Sequence, residues 1–333
     1  MPDVVTFGEI MLRLTPPGHL RLAQTSQFDI TFGGAESNVA LMISQLGTAT
    51  EFVTRLPANE IAQRAINELR GYGVETRHIA RGGDRIGVYF LEQGASQRPG
   101  KVIYDRAHSA IAEAQPGDFN WDEIFAGAKW FHWSGITPAL SENAAKITAE
   151  AIAAARRAKL IVSFDLNYRA KLWRDPKHAG EVLAPLVDGM DLCVTSVEEA
   201  RTVFGIELTD ESRREEETAE RLMKQFGLEM VALTQRQAAT ADSTSWAAML
   251  YQNGKAWFSS RHEISIVDRV GAGDSFSGAL IFSLLRGDSS QKAVDFAVAA
   301  STLKHTIPGD YNLVSLAEVE ALAAGGGGGR VQR

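Results

Sequence analysis

Short apolar runs rich in β-branched residues recur along the chain and alternate with longer stretches of helical period. The apolar runs predict buried strands at residues 4–7, 51–54, 130–133, 160–165, 191–195 and 230–234. Between them the period predicts a helix over residues 36–46, which Gly47 ends, and another over residues 142–158, which Ser141 caps. This alternation favours an α/β fold with a doubly wound, mostly parallel sheet and helices on both faces.

Two segments do not fit the alternation. Residues 11–32 lack helical period, and residues 85–106 contain two strand-like runs, GVYFLE and KVIYDR, around a turn. Together they predict a small β-sheet that forms a lid over the carboxyl edge of the main sheet, where ligands of such folds bind. A surface hairpin explains the pattern equally well. We expect one domain over residues 1–324 and a Gly-rich disordered tail over residues 325–333.

Composition narrows the class of protein. The chain has 333 residues, of which 45% are hydrophobic and 23% charged, as in ordinary globular proteins. A net charge of −7 argues against a nucleic-acid partner. No apolar run approaches the ~20 residues that a membrane-spanning helix needs, and no signal peptide is evident. The single cysteine, Cys193, cannot form an internal disulfide, so we expect a cytoplasmic protein with no membrane partner.

The most informative segment for chemistry is DRVGAGDSFSG, residues 268–278. Gly271, Ala272 and Gly273 leave backbone N–H groups open at the start of an apolar helix, where the helix dipole adds positive potential. Asp274 follows in the first turn and can accept a proton from a hydroxyl. Phosphoryl transfer requires such an anion hole beside a base. A tight helix cap without catalytic function explains the same spacing.

Two further sites carry polar residues in suitable places. Gly34 opens the helix of FGGAESNVA, residues 32–40, and Asn38 can present its amide to a hydroxyl-rich ligand. Arg169 ends DLNYR, residues 165–169, after an apolar strand, and is a candidate anion clamp. Tyr104 and Arg106 on the second strand of the predicted lid add a hydroxyl and another cation. Each site alone is also explained by a tight turn or a surface ion pair.

Signatures of several other enzyme classes are missing from the sequence. It contains no GxxxxGK[ST] phosphate loop, no GxGxxG dinucleotide fingerprint, no HExxH zinc motif and no GxSxG elbow. P-loop NTPases, dinucleotide-dependent enzymes, zinc enzymes and serine hydrolases are therefore disfavoured.

In this order and on this alternation, the sites resemble the ribokinase-like (PfkB) family of carbohydrate kinases. The two family signatures are a GG motif near the amino terminus and D-x-x-GAGD near the carboxyl terminus, found here at residues 33–34 and 268–274. The resemblance extends from residue 4 to about residue 322. Within the family, GGAESNVA, YDRAHSA, HWSGITPALS and DLNYRAKLW are most similar to the 2-keto-3-deoxygluconate kinases.

The resemblance implies ATP-dependent phosphorylation of a keto-deoxy sugar acid, with Asp274 as base and the Gly271, Ala272 and Gly273 segment as anion hole. It implies a sugar pocket of Gly34, Asn38, Tyr89, Tyr104, Arg106, Ile136 and Arg169. The nucleotide would contact Asn167, Ser196, Glu199, Thr234 and Val298. Glu199 would order water around Mg²⁺, Asp268 would belong to a loop that binds a monovalent cation such as K⁺, and a homo-oligomer is expected.

The chain departs from the family pattern near the nucleotide. Ser196 replaces the usual Asn, the strand at residues 230–234 continues as QRQA instead of a Gly-rich turn, and an insert-like stretch, ATADSTSW, follows. Val298 stands where an Asn is often found. Two arginines beside a tyrosine favour a substrate with a carboxylate, since a neutral sugar would leave them short of partners. A fructokinase- or ribokinase-like enzyme and a sugar-acid sensor without turnover are the alternatives.

Overall fold

A nine-stranded sheet forms the centre of the computed structural model, which describes residues 1–326. Side by side lie β14 (Lys255–Phe258), β13 (Ser243–Gln252), β12 (Met230–Thr240), β11 (Leu192–Thr195), β10 (Ile161–Asp165), β9 (Trp130–Ser134), β1 (Val4–Phe7) and β4 (Thr50–Val53), and β15 (His262–Ser265) also pairs with β13. The six strands from β12 to β4 are parallel, and β13 is antiparallel to its three neighbours.

Helices cover both faces of this sheet. They are α1 (Ala35–Gln45), α2 (Glu60–Gly71), α3 (Trp121–Ile124), α4 (Glu142–Arg157), α5 (Pro176–Val187), α6 (Val197–Phe204), α7 (Arg214–Phe226), α8 (Ala272–Leu285), α9 (Ser290–Lys304) and α10 (Leu316–Ala323). Two 3₁₀ turns, Thr137–Ala139 and Glu211–Arg213, complete the set. The arrangement is the predicted doubly wound α/β fold.

Burial on both faces explains why the strands read as continuous apolar runs. On β1, Val5 and Phe7 belong to the core under α4, α5, α6 and α7, whereas Val4 belongs to the core under α1, α8 and α9. All three side chains are fully buried. Successive side chains of a strand point to opposite faces of the sheet. When helices cover both faces, all of these side chains are buried, and the strand is apolar throughout instead of alternating between apolar and polar residues. Cys193 on β11 is likewise fully buried.

Most predicted elements agree with the structure to within a residue or two at each end. The strand predicted at residues 4–7 is β1 itself, and those predicted at 51–54, 130–133, 160–165 and 191–195 are β4, β9, β10 and β11. The two predicted helices are α1 and α4, and the hydroxyl of Ser141 caps α4 by accepting a hydrogen bond from Ala144 N–H at 3.1 Å.

The strand predicted at residues 230–234 is the first part of a longer strand. The insert-like ATADSTSW stretch contains the end of β12, a turn and the start of β13, which pair as one long hairpin. The outer part of β12, residues 236–239, is exposed, and its polar and small residues concealed the strand from the apolar pattern. At the hairpin tip, Ala241 N–H donates to the carbonyl of Ser96 at 2.8 Å, and Ser96 N–H donates to Asp242 Oδ2 at 3.1 Å.

Both predicted lid segments form strands of one separate sheet, called the small sheet below. It has the order β3 (Asp29–Gly33), β2 (Met11–Thr15), β7 (Gly87–Glu92) and β8 (Lys101–Asp105), with β2 and β7 parallel and the outer pairs antiparallel. The remaining strands, β5 (Arg55–Leu56) and β6 (Ala80–Arg81), form a two-stranded pair. The lid function and the domain limits stay predictions, and most of the predicted disordered tail lies outside the described residues.

Within residues 1–326 there is no helix whose length and apolar character would let it cross a membrane.

Candidate active site

A cleft of about 810 Å³ opens between the carboxyl ends of the parallel strands and the small sheet. All seven residues predicted for the sugar pocket line it, namely Gly34, Asn38, Tyr89, Tyr104, Arg106, Ile136 and Arg169. So do Asn167, Ser196, Glu199 and Thr234 from the predicted nucleotide set, and Gly271, Ala272, Gly273 and Asp274. The cleft therefore brings together residues that are spread over most of the chain, at the edge where parallel sheets bind ligands.

The two sequence signatures meet at Asp274. This residue lies in the first turn of α8, and its Oδ2 accepts a hydrogen bond of 2.6 Å from Nδ2 of Asn38 on α1. The Oδ1 atom of Asn38 in turn accepts from Gly34 N–H at 3.3 Å. The amide of Asn38 thus joins the GG motif to the carboxylate and fixes which way that carboxylate points.

The environment of Asp274 makes it a stronger base than an ordinary carboxylate. Burial raises the pKa of Asp274 to about 6, against the opposing effects of the Asn38 hydrogen bond and the nearby Arg169 guanidinium. A general base is most effective when its pKa lies near the working pH. The carboxylate is half-buried and borders the cleft, so it can reach a bound hydroxyl.

Backbone conformation and packing explain the first glycine of the GAGD segment but not the second. Gly271 caps α8 with φ +84°, and a Cβ there would lie 2.0 Å from the carbonyl oxygen of Asp310. Gly273 has no positive φ, and a Cβ there would meet no atom of the described residues within 4 Å. The tight helix cap therefore explains Gly271 but gives no reason for Gly273, which is exposed at the cleft.

The GG motif at residues 33–34 is required by close packing. A Cβ on Gly34 would lie 1.9 Å from the backbone oxygen of Glu9, and one on Gly33 would lie 2.0 Å from Oδ2 of Asp310. These approaches bring the start of α1 against the loop after β1 and against the loop after α9. Neither partner could be identified from the sequence, because both are distant from the motif along the chain.

A buried charge network joins the small sheet to the GAGD segment. The guanidinium of Arg13 on β2 donates from Nη1 to Asp310 Oδ1 at 2.7 Å and from Nη2 to Asp268 Oδ2. Tyr89 on β7 donates its hydroxyl to both Asp310 oxygens, at 2.6 and 2.7 Å. Burial and the Asp310 charge raise the pKa of Tyr89 well above its usual value. Its ring borders the cleft, but its hydroxyl is directed to Asp310 rather than to a sugar.

Asp268 is predicted to belong to a loop that binds a monovalent cation, and its carboxylate already has partners within the protein. Its Oδ2 atom binds Arg13 and accepts from Gly309 N–H at 3.1 Å, and its Oδ1 atom accepts from Val270 N–H at 3.1 Å. The carboxylate is thus occupied by a guanidinium and two backbone amides. Asp268 does not line the cleft.

Val298 was predicted to contact the nucleotide, and the structure places it elsewhere. The side chain is fully buried in the core that α8, α9 and the sheet share, and it does not reach the cleft. Most of α9 is buried on more than one side, so its apolar positions do not reveal which of them would face a ligand.

Two acidic side chains lie near the residues predicted to contact the nucleotide: Asp165, the last residue of β10, and Glu199, in the first turn of α6. Asp165 Oδ1 accepts from Asn167 N–H at 3.1 Å, and Glu199 Oε1 accepts from Tyr168 N–H at 3.1 Å. The hydroxyl of Ser196 caps α6 by accepting from Glu199 N–H at 3.2 Å. Burial raises the pKa of both carboxyl groups, and the charge of Glu199 raises that of Asp165 further.

This acidic pair fits a divalent cation that is bound together with a phosphate. It does not fit an ion that protein side chains coordinate on all sides. Within residues 1–326 no three His, Cys, Asp or Glu side chains are grouped to hold a metal. Mg²⁺ commonly keeps several waters and binds through one or two carboxylates plus substrate phosphates. Asp165 and Glu199 suit that role, because a nearby cation would relieve the repulsion between them.

Three arginines border the cleft without an acidic partner. Among the described residues no carboxylate lies within ion-pair distance of Arg169, Arg236 or Arg269. Arg169 and Arg269 each donate only to a backbone carbonyl. Arg236 and Arg269 were not predicted. The sequence did contain one signal for Arg236: it lies in the QRQA run, at the place where the family usually has a Gly-rich turn.

Arg106 is held in place by a residue that the sequence analysis missed. Its Nη2 pairs with Oε2 of Glu9, in the loop after β1, and Glu9 Oε1 accepts from the hydroxyl of Ser109 at 2.7 Å. The guanidinium lies over the ring of Tyr104, 5.4 Å from its centroid. The buried Nε of Arg106 has no hydrogen-bond partner in the described part of the chain.

Comparison with known proteins gives consistent matches along the chain. The family described as pfkB family carbohydrate kinase matches residues 1–315. A 2-dehydro-3-deoxygalactonokinase of Haloferax volcanii is 35% identical over 327 residues, which is 98% of each chain. A 2-dehydro-3-deoxygluconokinase of Thermoproteus tenax is 29% identical over 97% of this chain and 94% of its own. The crystal structure of a 2-dehydro-3-deoxygluconokinase from Thermotoga maritima is 50% identical, covers 96% of this chain and 98% of that chain, and has a TM-score of 0.94.

The contrast between Gly271 and Gly273 generates a paired prediction. We expect Gly273→Val to keep its melting temperature and to lose activity by roughly 10²-fold or more, because a branched side chain would fill the space of a bound anion. We expect Gly271→Val to lose stability by about 1–3 kcal/mol or more as well, because the new atoms collide with the backbone of Asp310. Thermal unfolding and turnover of both variants decide this. Equal destabilisation of the two would favour the purely structural helix cap.

The raised pKa of Asp274 predicts an acid limb in the pH dependence of kcat/KM. The reactive form is the carboxylate, so activity should fall as the pH drops through about 6. Asn38→Ala removes a hydrogen bond that lowers this pKa, so the limb should move to higher pH. Asp274→Asn should lose about 10²–10⁴-fold in kcat and keep sugar binding. A limb that Asn38→Ala leaves unmoved, or near-normal turnover in Asp274→Asn, would remove Asp274 from the reaction.

Proposed function

Since this chain belongs to the pfkB family of carbohydrate kinases, we propose that it transfers the γ-phosphoryl group of ATP to the 6-hydroxyl of 2-keto-3-deoxygluconate. This sugar acid is the 2-dehydro-3-deoxygluconate in the names of the Thermotoga maritima and Thermoproteus tenax relatives. The observation that carries the proposal is the arrangement at the GAGD segment: the carboxylate of Asp274, with its pKa raised to about 6, stands beside an open helix amino terminus in a cleft with unpaired arginines.

The chemistry follows from this arrangement. Asp274 accepts the proton of the sugar hydroxyl, and the oxygen forms a bond to the γ-phosphorus of ATP. The bond from that phosphorus to the bridging oxygen breaks, and ADP leaves with the electron pair. Backbone N–H groups of residues 271–273 and the dipole of α8 stabilise the negative charge on the transferred group. Asn38 keeps the carboxylate pointed at the hydroxyl.

The nucleotide end of the cleft supplies positive charge from side chains. Among residues 1–326 no carboxylate lies within ion-pair distance of Arg236 or Arg269, and both border the same cleft as Ser196, Glu199 and Thr234. We assign them to the phosphates of ATP, where they replace part of the contact that a Gly-rich turn makes through its backbone. Mg²⁺, when bound with the nucleotide, neutralises phosphate charge, and Asp165 and Glu199 would hold its waters.

Selection of a sugar acid rests on Arg169 and Arg106. Within the described residues Arg169 forms no ion pair, and the charge of Arg106 is offset by Glu9 while its Nε has no hydrogen-bond partner. We therefore assign the main ionic contact with the substrate carboxylate to Arg169, and a hydrogen bond to Arg106. A neutral sugar would leave the free donors without an acceptor, which disfavours the fructokinase-like alternative.

The Haloferax volcanii relative favours a second candidate substrate. Its name gives 2-dehydro-3-deoxygalactonate, which differs from the gluconate compound only in configuration at one hydroxyl-bearing carbon. Both substrates carry the carboxylate, so the arginines do not distinguish between them.

We further propose a cytoplasmic location, in keeping with ATP as donor and with Cys193 as a buried free thiol. The expected homo-oligomer remains a prediction.

The substrate assignment predicts how the enzyme treats charged and neutral sugars. ADP release should be fastest with 2-keto-3-deoxygluconate or its galactonate epimer and much slower with fructose or ribose. Arg169→Ala should lose about tenfold to hundredfold in kcat/KM on the sugar acids, in line with roughly 1.5–3 kcal/mol for a charge-assisted hydrogen bond, and little on fructose. Arg169→Lys should recover part of this loss. Equal losses on acid and neutral sugars, or a wild type that prefers fructose, would contradict the assignment.

The nucleotide assignment predicts a selective effect at Arg236. Arg236→Ala should raise the KM for ATP by about tenfold, the range expected for one charge-assisted contact with phosphate, and leave the KM for the sugar acid nearly unchanged. Arg261→Ala is a matched control, since Arg261 binds Gln235 at 2.8 Å on the same hairpin and does not border the cleft. An unchanged KM for ATP in Arg236→Ala would place the phosphates elsewhere.

A further inference from the structure

A second buried cation lies close to the network of Arg13, Asp268 and Asp310. Lys304 is the last residue of α9 and is fully buried. Its Nζ donates to the carbonyl of Ile307 at 3.0 Å. Burial lowers the pKa of Lys304, and the charges of Asp268 and Asp310 oppose that effect. A buried ammonium is strongly unfavourable without compensating negative charge, and these two carboxylates supply that charge from beyond ion-pair distance.

The four buried side chains balance in charge. Arg13 and Lys304 contribute two positive charges, and Asp268 and Asp310 contribute two negative charges; Asp274, whose charge also acts on Lys304, borders the cleft and lies outside this group. All four are at most 4% exposed. An added K⁺ would leave one surplus positive charge in a region of low dielectric, where an unpaired charge is strongly unfavourable. The residues present therefore do not fit a bound monovalent cation.

This balanced group lies directly beneath the anion hole. A Cβ on Gly271 would come within 3.3 Å of Cε of Lys304 and within 2.0 Å of the Asp310 carbonyl oxygen. One turn earlier on α9, Ser301 donates its hydroxyl to the carbonyl of Ala272 at 2.7 Å. Lys304 itself does not border the cleft. Its ammonium can act on the phosphoryl group only through the position and potential of the GAGD backbone.

We propose that Lys304, together with Arg13, takes the place of a monovalent cation in this chain, so that the kinase needs no K⁺. Lys304 is then a positioning residue: it neutralises Asp268 and Asp310 and keeps the segment 271–273 in place for the transferred phosphate. Removal of its charge leaves the group with a net negative charge and a space that a small cation can occupy. The part of the inference that concerns turnover rests on the proposed kinase activity, and the part that concerns cation binding does not.

The test compares wild type, Lys304→Met and the matched control Lys292→Met in tetramethylammonium buffer, before and after addition of KCl. Lys292 is on the same helix, is exposed and pairs with Asp288. Wild type and control should show the same melting temperature and kcat with and without K⁺. Lys304→Met should lose roughly tenfold in kcat, less than the ~10²–10³-fold cost of removing a donor that touches the reacting group. K⁺ or ammonium should restore part of kcat and raise its melting temperature by mass action.

Three outcomes would overturn the proposal. One is a wild type that K⁺ stabilises or activates; another is a Lys304→Met variant of normal activity; the third is a Lys304→Met variant that K⁺ neither stabilises nor activates. If Lys304→Met does not fold in either buffer, Lys304→Gln, which keeps a donor for the Ile307 carbonyl and loses the charge, is measured in its place under the same criteria. A wild type inactive on every sugar would refute the proposed function, and the melting temperatures would still decide the question of cation binding.

Discussion

The ion pairs of Arg13 hold together the parts of this protein that form the candidate active site. Its guanidinium joins the second strand of the small sheet to Asp268, 255 residues later, and to Asp310, 297 residues later. Because the group is buried, removal of either partner would leave a charge without compensation, which is far more costly than the loss of a surface pair. The position of the small sheet over the cleft therefore depends on the same contact that fixes the segment before α8.

Close backbone approach is the second constraint on the site. The glycines at 33, 34 and 271 all pack where a single methyl group would collide, and two of them face Asp310. Asp310 thus interacts through its side chain with Arg13 and Tyr89 and through its backbone with Gly271. A short loop after α9 is the point at which both glycine motifs and the charge network converge. This loop carries no motif that would draw attention to it in the sequence.

The sequence was informative where the signal is local. Apolar runs predicted the parallel strands, because a strand buried on both faces is a continuous run of apolar residues. The carboxyl ends of such strands meet at one edge of the sheet, where ligands bind. Most of the cleft residues follow from that rule and from the family resemblance. Long-range partners could not be predicted: nothing near Asp268 indicates Arg13, and nothing near Arg106 indicates Glu9. The outer part of β12 was missed because exposed strand residues lack the expected periodicity, and the burial of Val298 was missed because a helix buried on several sides does not show which positions face a ligand.

The lone cysteine gives the protein a practical property. Burial raises the pKa of the Cys193 thiol well above its usual value, and the side chain has no accessible surface. The folded protein is therefore inert towards thiol reagents, because these react with an accessible thiolate. A cysteine introduced at Ser96 or at Ala241 would be the one reactive thiol of the folded chain. Fluorophores attached there could report, in otherwise native protein, whether the hairpin tip and the turn of the small sheet separate as ligands enter and leave.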